Sequence, residues 1–288
     1  MRAQARTIVQ IAALLTSGAA VSGRADTEPR AKGTSGGAPP RDAHEAVPWD
    51  AHVPSIEECL RVYEAGPDAN TAAMLAAVGP LEGMRVLDFS CGAGVTSCFL
   101  AQRGATVTAL DISPASIERA RQLARRLGFS LELIAGELTR STFPPRSFDA
   151  VIGRYALHHV DLTRIAPLLG ELLVAEGRGA FVETMALNPL LTLARTHLAG
   201  RLGAAGYGSE HEQPLDRDDL ATLARTFAKV EVLTAQMSFL RIFDRNVLRY
   251  RAPRLSESLG RIDDRLLARG YGSLSYHQVL KVSKSARA

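Results

Sequence analysis

VLDFSCGAGVTSCFLAQRGATVTALDIS, residues 86–113, reads as strand, glycine turn, helix and strand. The apolar run that starts the segment ends near Asp88, and the turn carries Gly92 and Gly94. VTSCFLAQR has apolar residues at helical spacing, and ATVTALD returns to strand and closes on Asp111. Glycines in such a turn remove side chains that would keep a ligand from the backbone. An acid ending the second strand is placed to accept two hydrogen bonds from a ribose diol, an arrangement that dinucleotide-binding folds share. Asp88 sets this segment apart, because a pyrophosphate at the turn would be repelled by a neighbouring carboxylate. Ser97 also stands where a third glycine of GxGxxG would fall.

Working outward, SIEECLRVYEA and NTAAMLAAV read as helices before the first strand, MRVLDF. After Asp111 a helix opens on Ser113-Pro114, an N-cap and first-turn pair. LELIAG and FDAVIG read as the third and fourth strands, and LTRIAPLLGELLVA as a helix kinked or interrupted near Pro167. GAFVET reads as the fifth strand. This alternation predicts an α/β fold with a parallel, doubly wound sheet and helices on both faces. Ligands in such sheets bind at the carboxyl ends of the strands, which points to the turns after Phe89, Asp111, Ala135 and Gly153. A ligand carrying an amino group and a positive charge suits Asp88 there. S-adenosylmethionine has a sulfonium, an ammonium, a ribose diol and no phosphate, so the two acids favour it over a dinucleotide.

Composition bounds the remaining possibilities. The 288 residues suffice for one large α/β domain or two small ones, and 46% hydrophobic with 22% charged residues describes a globular chain. The +4 charge comes from 34 basic and 30 acidic residues, without basic blocks interleaved with aromatics, so no nucleic-acid partner is expected. Cys59, Cys91 and Cys98 cannot all pair and form no CxxC, which suits free thiols in a reducing compartment. No stretch reaches the length of a transmembrane helix. Arg2 and Arg6 followed by the apolar run Ile8–Leu15 resemble a weak secretory signal, interrupted by Gln10. The alternative is a disordered extension or an over-long start. Residues 1–48 are therefore expected to stand apart from a folded domain over 49–288, with a cofactor half to about 185 and a substrate or lid half from about 186. The expected location is cytoplasmic, where the cofactor is made.

The segment from Met84 to about Glu183 resembles a class I S-adenosylmethionine-dependent methyltransferase of the type that acts on small molecules. VLDFSCGAG is similar to that family's first motif, LDIS to its ribose-binding acid and FDAVIGRYALHHVD to its fourth-strand motif. Two departures stand out: Ser90 replaces the usual first glycine, and GEL at 136–138 stands where G-D-A is common. Serine suits its position unless a positive φ is required there. The resemblance implies a Rossmann-like sheet of seven strands with the last antiparallel, a helical lid or insertion in the C-terminal part, and a small-molecule acceptor. It implies that Asp88 faces the methionine ammonium through water or backbone neighbours, and that Cys91, Gly92 and Ala93 offer backbone to the methionine end beside Ser90 and Gly94. Asp111 would take the ribose hydroxyls, Ile112 would pack on the adenine, and Glu137 and Leu138 would flank it. Arg154 and Tyr155 would sit over the sulfur side. A monomer or homodimer is expected.

His158 and His159 follow the fourth strand at the edge where chemistry occurs. Either could act as general base toward a hydroxyl, or the pair could pack the start of the next helix. They form no metal motif, and no second cluster at ligand spacing accompanies them. The segment after GAFVET resembles a lid, with Glu183, Asn188, His197, His211 and Glu212 as candidates for lining a substrate pocket. Asp216-Arg217-Asp218-Asp219 reads as an N-cap with an acidic first turn. KVEVLTAQMSFL is strand-like, RIFDRNVLRYRAPRLSESLGRIDDRLLARG reads as a basic helical stretch, and SYHQVLKVSK as the closing strand. Arg241, Arg245, Arg249, Arg251 and Arg254 form a cationic face for an anionic substrate or membrane surface, or a solvated helix face. No NPPY-type loop follows the fourth strand, which turns the expected acceptor away from exocyclic or amide nitrogens and toward a hydroxyl oxygen. Two other readings remain open: a NAD-dependent oxidoreductase, and a non-catalytic binding protein with the same fold.

Overall fold

The structure is a computed structural model that describes residues 53–198 and 214–285. Two helices lead into the sheet, α1 (Ile56–Ala65) and α2 (Ala69–Val78). Ser55 and Glu58 close a reciprocal capping box on α1, and the Asp68 carboxylate caps α2 by accepting from the Thr71 N–H at 2.8 Å. Then follow β1 (Arg85–Phe89), α3 (Val95–Ala101), β2 (Thr106–Asp111), α4 (Pro114–Leu127), β3 (Glu132–Ala135) and β4 (Phe148–Arg154). Ser113 caps α4 with Pro114 in its first turn, as its sequence predicts. A 3-10 turn (Leu157–His159), α5 (Leu162–Leu172), β5 (Leu173–Thr184), α6 (Pro189–Leu198), α7 (Arg217–Thr226) and β6 (Lys229–Leu233) come next. The described chain closes with α8 (Leu240–Phe243), a π turn (Asp244–Leu248), α9 (Pro253–Ala268), a 3-10 turn (Tyr271–Leu274) and β7 (His277–Ser283).

The seven strands form one sheet in the order β3-β2-β1-β4-β5-β7-β6. β7 is antiparallel to both β5 and β6, and the pairings from β3 through β5 are parallel. The chain winds outward from β1 to β3 and then returns to β4 beside β1, so the order reverses between β1 and β4. That reversal opens a crevice at their carboxyl ends. Alternate residues of the central strands feed two cores. Leu87, Val151 and Phe181 pack with α5 and α7 on one face, while Val86, Ile152 and Val182 pack with α2 and α3 on the other. Both faces are covered, which accounts for the nearly continuous apolar runs in the sequence.

Three boundaries differ from the sequence expectation. The helix after β4 continues past Pro167 and stops at Leu172, and β5 starts at once, six residues before GAFVET, with Glu176 at φ 62 bending its first half. β6 ends at Leu233, so MSFL is not strand. The basic stretch is not one helix. It breaks between the π turn and α9, where Arg249 and Tyr250 take φ of 52 and 55 ahead of Pro253. A proline disfavours helical backbone at the residue before it, and Ala252 accordingly lies outside the helical region at φ −129 and ψ 80. Arg241 is tied to this break, donating to Asp264 at 2.8 Å, while the buried Asp263 accepts from the N–H groups of Phe239, Leu240 and Arg241.

Candidate active site

A cavity of about 390 Å³ lies at the carboxyl ends of β1, β2 and β4. The turn after β1 forms its floor. Ser90 sits there at φ 59, Gly92 at φ 52 and Gly94 at φ 77. The position of Ser90 therefore does require positive φ, and serine occupies it with backbone strain that a glycine would not carry. A Cβ on Gly92 would meet nothing within 4 Å, whereas one on Gly94 would lie 2.6 Å from the Ala120 Cβ. Gly92 thus keeps the cavity open, and Gly94 lets α4 pack against the turn.

Asp111 fastens the two sides of the crevice. Its Oδ2 accepts from the Gly92 N–H at 2.7 Å and its Oδ1 from the Ser113 N–H at 2.9 Å. Both oxygens are acceptors, the chemistry that a ribose diol requires. Asp88 lies beneath the turn at 1% exposure, accepting from the Ser97 hydroxyl at 2.5 Å. Burial lifts its carboxyl to about 7, opposed by the Ser97 hydrogen bond and the Arg154 charge and reinforced by Asp111. Asp88, Cys91 and Gly94 do not border the cavity themselves; they lie in and beneath the turn that does. Burial pushes the Cys91 thiol well up, so it stays protonated. Ser90, Gly92, Ala93, Asp111, Ile112, Glu137, Leu138, Arg154 and Tyr155 do line it, as does His159, whereas His158, between the lining residues Tyr155 and His159 in sequence, does not border the cavity itself.

Beyond the cavity, the residues after β4 converge on Glu183. This carboxylate is fully buried at the end of β5. Its Oε1 accepts from the N–H groups of Ala156 at 2.9 Å and Leu157 at 2.8 Å, and its Oε2 lies 2.7 Å from His158 Nδ1. Glu183 cannot line a substrate pocket from that position; it sets the loop and the imidazole. With a carboxylate opposite, Nδ1 is the donor and Nε2 is left as an acceptor. The His159 ring lies 4.0 Å from that of His158, and burial, with the neighbouring His158 as a lesser cause, pushes its pKa down to about 4. Tyr155, held at φ 54, is edge-on to both His158 and His277, with ring centroids 6.4 and 5.6 Å apart. Burial likewise pushes His277 down to about 4, helped by the Arg245 charge.

Asn188 is 1% exposed and caps α6, accepting from the Leu190 N–H at 3.0 Å while donating to the Leu274 carbonyl at 2.8 Å. It is a latch between segments and not a pocket wall. His197 belongs to α6, and its side chain, with His211 and Glu212, lies outside the described residues. The sequence reading passed over Val53, Pro54, Asp161, Arg164 and Ile165, all of which line the cavity. Asp161, as the N-cap of α5, with Arg164 and Ile165 three and four residues on, carried a helical signal that could have found them. Val53, Pro54 and His277 reach the site only through the fold.

S-adenosylmethionine suits these residues. The space over Gly92, the Asp111 carboxylate at the end of β2, the apolar Ile112 and Leu138, and a buried Arg154 Nε with no hydrogen-bond partner match its parts. Among the described residues no group of three His, Cys, Asp or Glu side chains could hold a metal ion, and no helix is long and apolar enough to cross a membrane.

Comparison with known proteins bears on the same residues. Residues 86–175 match the family described as methyltransferase domain. An uncharacterized methyltransferase of Mycobacterium bovis is 31% identical over 186 residues, covering 63% of this chain and 93% of the relative. A ubiquinone biosynthesis O-methyltransferase of Methylocella silvestris is 42% identical over 81 residues, 28% of this chain and 32% of the relative, so the match spans about a third of that protein's length. In fold, the chain is similar to phosphoethanolamine N-methyltransferase 2 of Haemonchus contortus in complex with S-adenosyl-L-methionine. There the TM-score is 0.51 at 15% identity, over 83% of this chain and 60% of the other.

Proposed function

Since this chain belongs to the class I S-adenosylmethionine-dependent methyltransferases, we propose that it methylates a hydroxyl oxygen of a small-molecule acceptor, with His158 as the base. Family membership sets aside the oxidoreductase reading of Asp111 and its glycine turn. In the proposed arrangement Asp111 accepts from the ribose hydroxyls, Ile112 and Leu138 enclose the adenine, and the open backbone at Gly92 admits the methionine portion. S-adenosylmethionine supplies an electrophilic methyl group on a sulfonium, which needs an aligned acceptor more than it needs covalent help from the protein.

The observation that carries the hydroxyl reading is the Glu183–His158 pair. A neutral hydroxyl is a poor nucleophile, so a positioned base matters for oxygen acceptors. Glu183 holds Nδ1 as donor, so the acceptor proton would pass to Nε2. His159 is a poor base, because a group pushed down to about 4 has little drive to take a hydroxyl proton at neutral pH. The O-methyltransferase named among the relatives points the same way. The test is incubation with methyl-labelled cofactor and a panel of phenols, catechols, aliphatic alcohols and amines, with the labelled carbon located by NMR. Label on oxygen supports the reading, and label only on nitrogen or carbon sinks it.

A further inference from the structure

Two cations line the cavity, Arg154 and Arg164. Arg164 is turned to Glu137 on the turn after β3, 3.8 Å away. Arg154 ends β4, next to β1 and its turn. One of its terminal nitrogens donates to Asp68 Oδ2 at 3.0 Å, and the guanidinium lies 5.4 Å from the centre of the Tyr155 ring. Its Nε is buried and has no partner. A buried guanidinium donor without an acceptor is costly, and such a vacancy in a folded protein calls for a ligand or an ion.

Asp68 is itself held in place. Its Oδ1 caps α2 through the Thr71 N–H at 2.8 Å and accepts from the Thr71 hydroxyl at 3.1 Å. At 57% side-chain exposure, its pairing with Arg154 adds little to stability. The pair fixes the guanidinium and leaves its Nε edge without an acceptor. We propose that Arg154, positioned by Asp68, takes the α-carboxylate of the cofactor's methionine. A carboxylate on that edge completes a fork-to-fork contact, which a lysine could not reproduce. The start of α2 thereby becomes part of the cofactor site, 86 residues from Arg154 in sequence. This inference rests on the cofactor reading above and does not depend on the acceptor.

The test compares two ligands by calorimetry. S-adenosylhomocysteine carries the amino-acid carboxylate, and 5′-methylthioadenosine keeps the nucleoside but lacks it. Arg154→Gln should weaken S-adenosylhomocysteine on the order of 10- to 100-fold, as expected for a hydrogen bond to a charged group, and leave methylthioadenosine within about twofold. Arg154→Lys and Asp68→Asn should give smaller losses confined to S-adenosylhomocysteine. Retained methylthioadenosine binding shows that the site is folded. Equal losses for both ligands in all three variants, or an unchanged Kd for S-adenosylhomocysteine, overturn the proposal. Failure of both ligands to bind the wild-type chain would instead overturn the cofactor reading.

Discussion

Glu183 and His158, 25 residues apart in sequence, meet at 2.7 Å beneath the loop that follows β4. The other Glu183 oxygen carries two backbone N–H groups of the same loop, so one buried carboxylate sets both the backbone and the imidazole. Glu183→Gln would present an amide donor to Nδ1 and leave the proton on Nε2, the wrong tautomer for a base. The expected result is a loss on the order of 10³ in methyl transfer, with S-adenosylhomocysteine affinity within about twofold. Equal losses in rate and affinity would contradict that role.

The two glycines of the β1 turn should separate stability from binding. Gly94→Ala brings a Cβ to 2.6 Å from Ala120 at φ 77, and should destabilise by about 2–4 kcal/mol in urea unfolding. Gly92→Ala meets open space at φ 52, so it should cost only about 1 kcal/mol. Because that methyl projects into the cavity, cofactor affinity should fall further than stability. The same ranking in both measurements would contradict the division.

Ser90 at φ 59 pays backbone strain in a turn built for glycine. Ser90→Gly should raise unfolding free energy by about 0.5–1 kcal/mol, after allowing for the greater freedom of glycine in the unfolded chain. A loss of stability would mean that the hydroxyl has a role that its geometry does not show.

Asp88 makes stability depend on pH in a defined direction. Its carboxyl titrates near 3.8 when unfolded and at about 7 when folded. Between those values the folded chain keeps a proton that the unfolded chain releases. The group's favourable contribution is therefore full below about 3.8, declines as pH rises, and is gone above about 7. Asp88→Asn does not titrate and can still accept from Ser97. Relative to wild type it should gain roughly 3–4 kcal/mol between pH 4 and pH 8, read by chemical denaturation at both values. A constant difference across that range would contradict the buried, lifted carboxyl.

Much of the fold was legible because a sheet buried on both faces writes its strands as apolar runs. The strands through β5, the closing β7 and the caps at Ser113 and Asp216 follow from the residues alone. Asp111 and Gly92 were legible too, since the requirement for an open turn and a strand-end acid is local. Glu183 was misplaced despite a usable signal. Period-2 alternation puts it on the face of Phe181, toward the core, not toward solvent. Asn188 was misread because a capping asparagine and a binding asparagine look alike until burial is known. The positive φ at Ser90 leaves no trace in residue type. The partnerships of Arg154 with Asp68 and of Tyr155 with His277 join distant segments and come only from the folded chain.

In the proposed mechanism His158 removes the acceptor proton during transfer to oxygen. Single-turnover transfer of a labelled methyl group to the hydroxyl acceptor found by screening, in wild type and His158→Ala, tests it most directly. S-adenosylhomocysteine affinity measured on the same samples keeps binding separate from chemistry. The expected rate is lower by about 10²–10⁴ with affinity within about twofold. A variant that transfers methyl to oxygen at the wild-type rate, or one whose loss is matched by lost affinity, would contradict it.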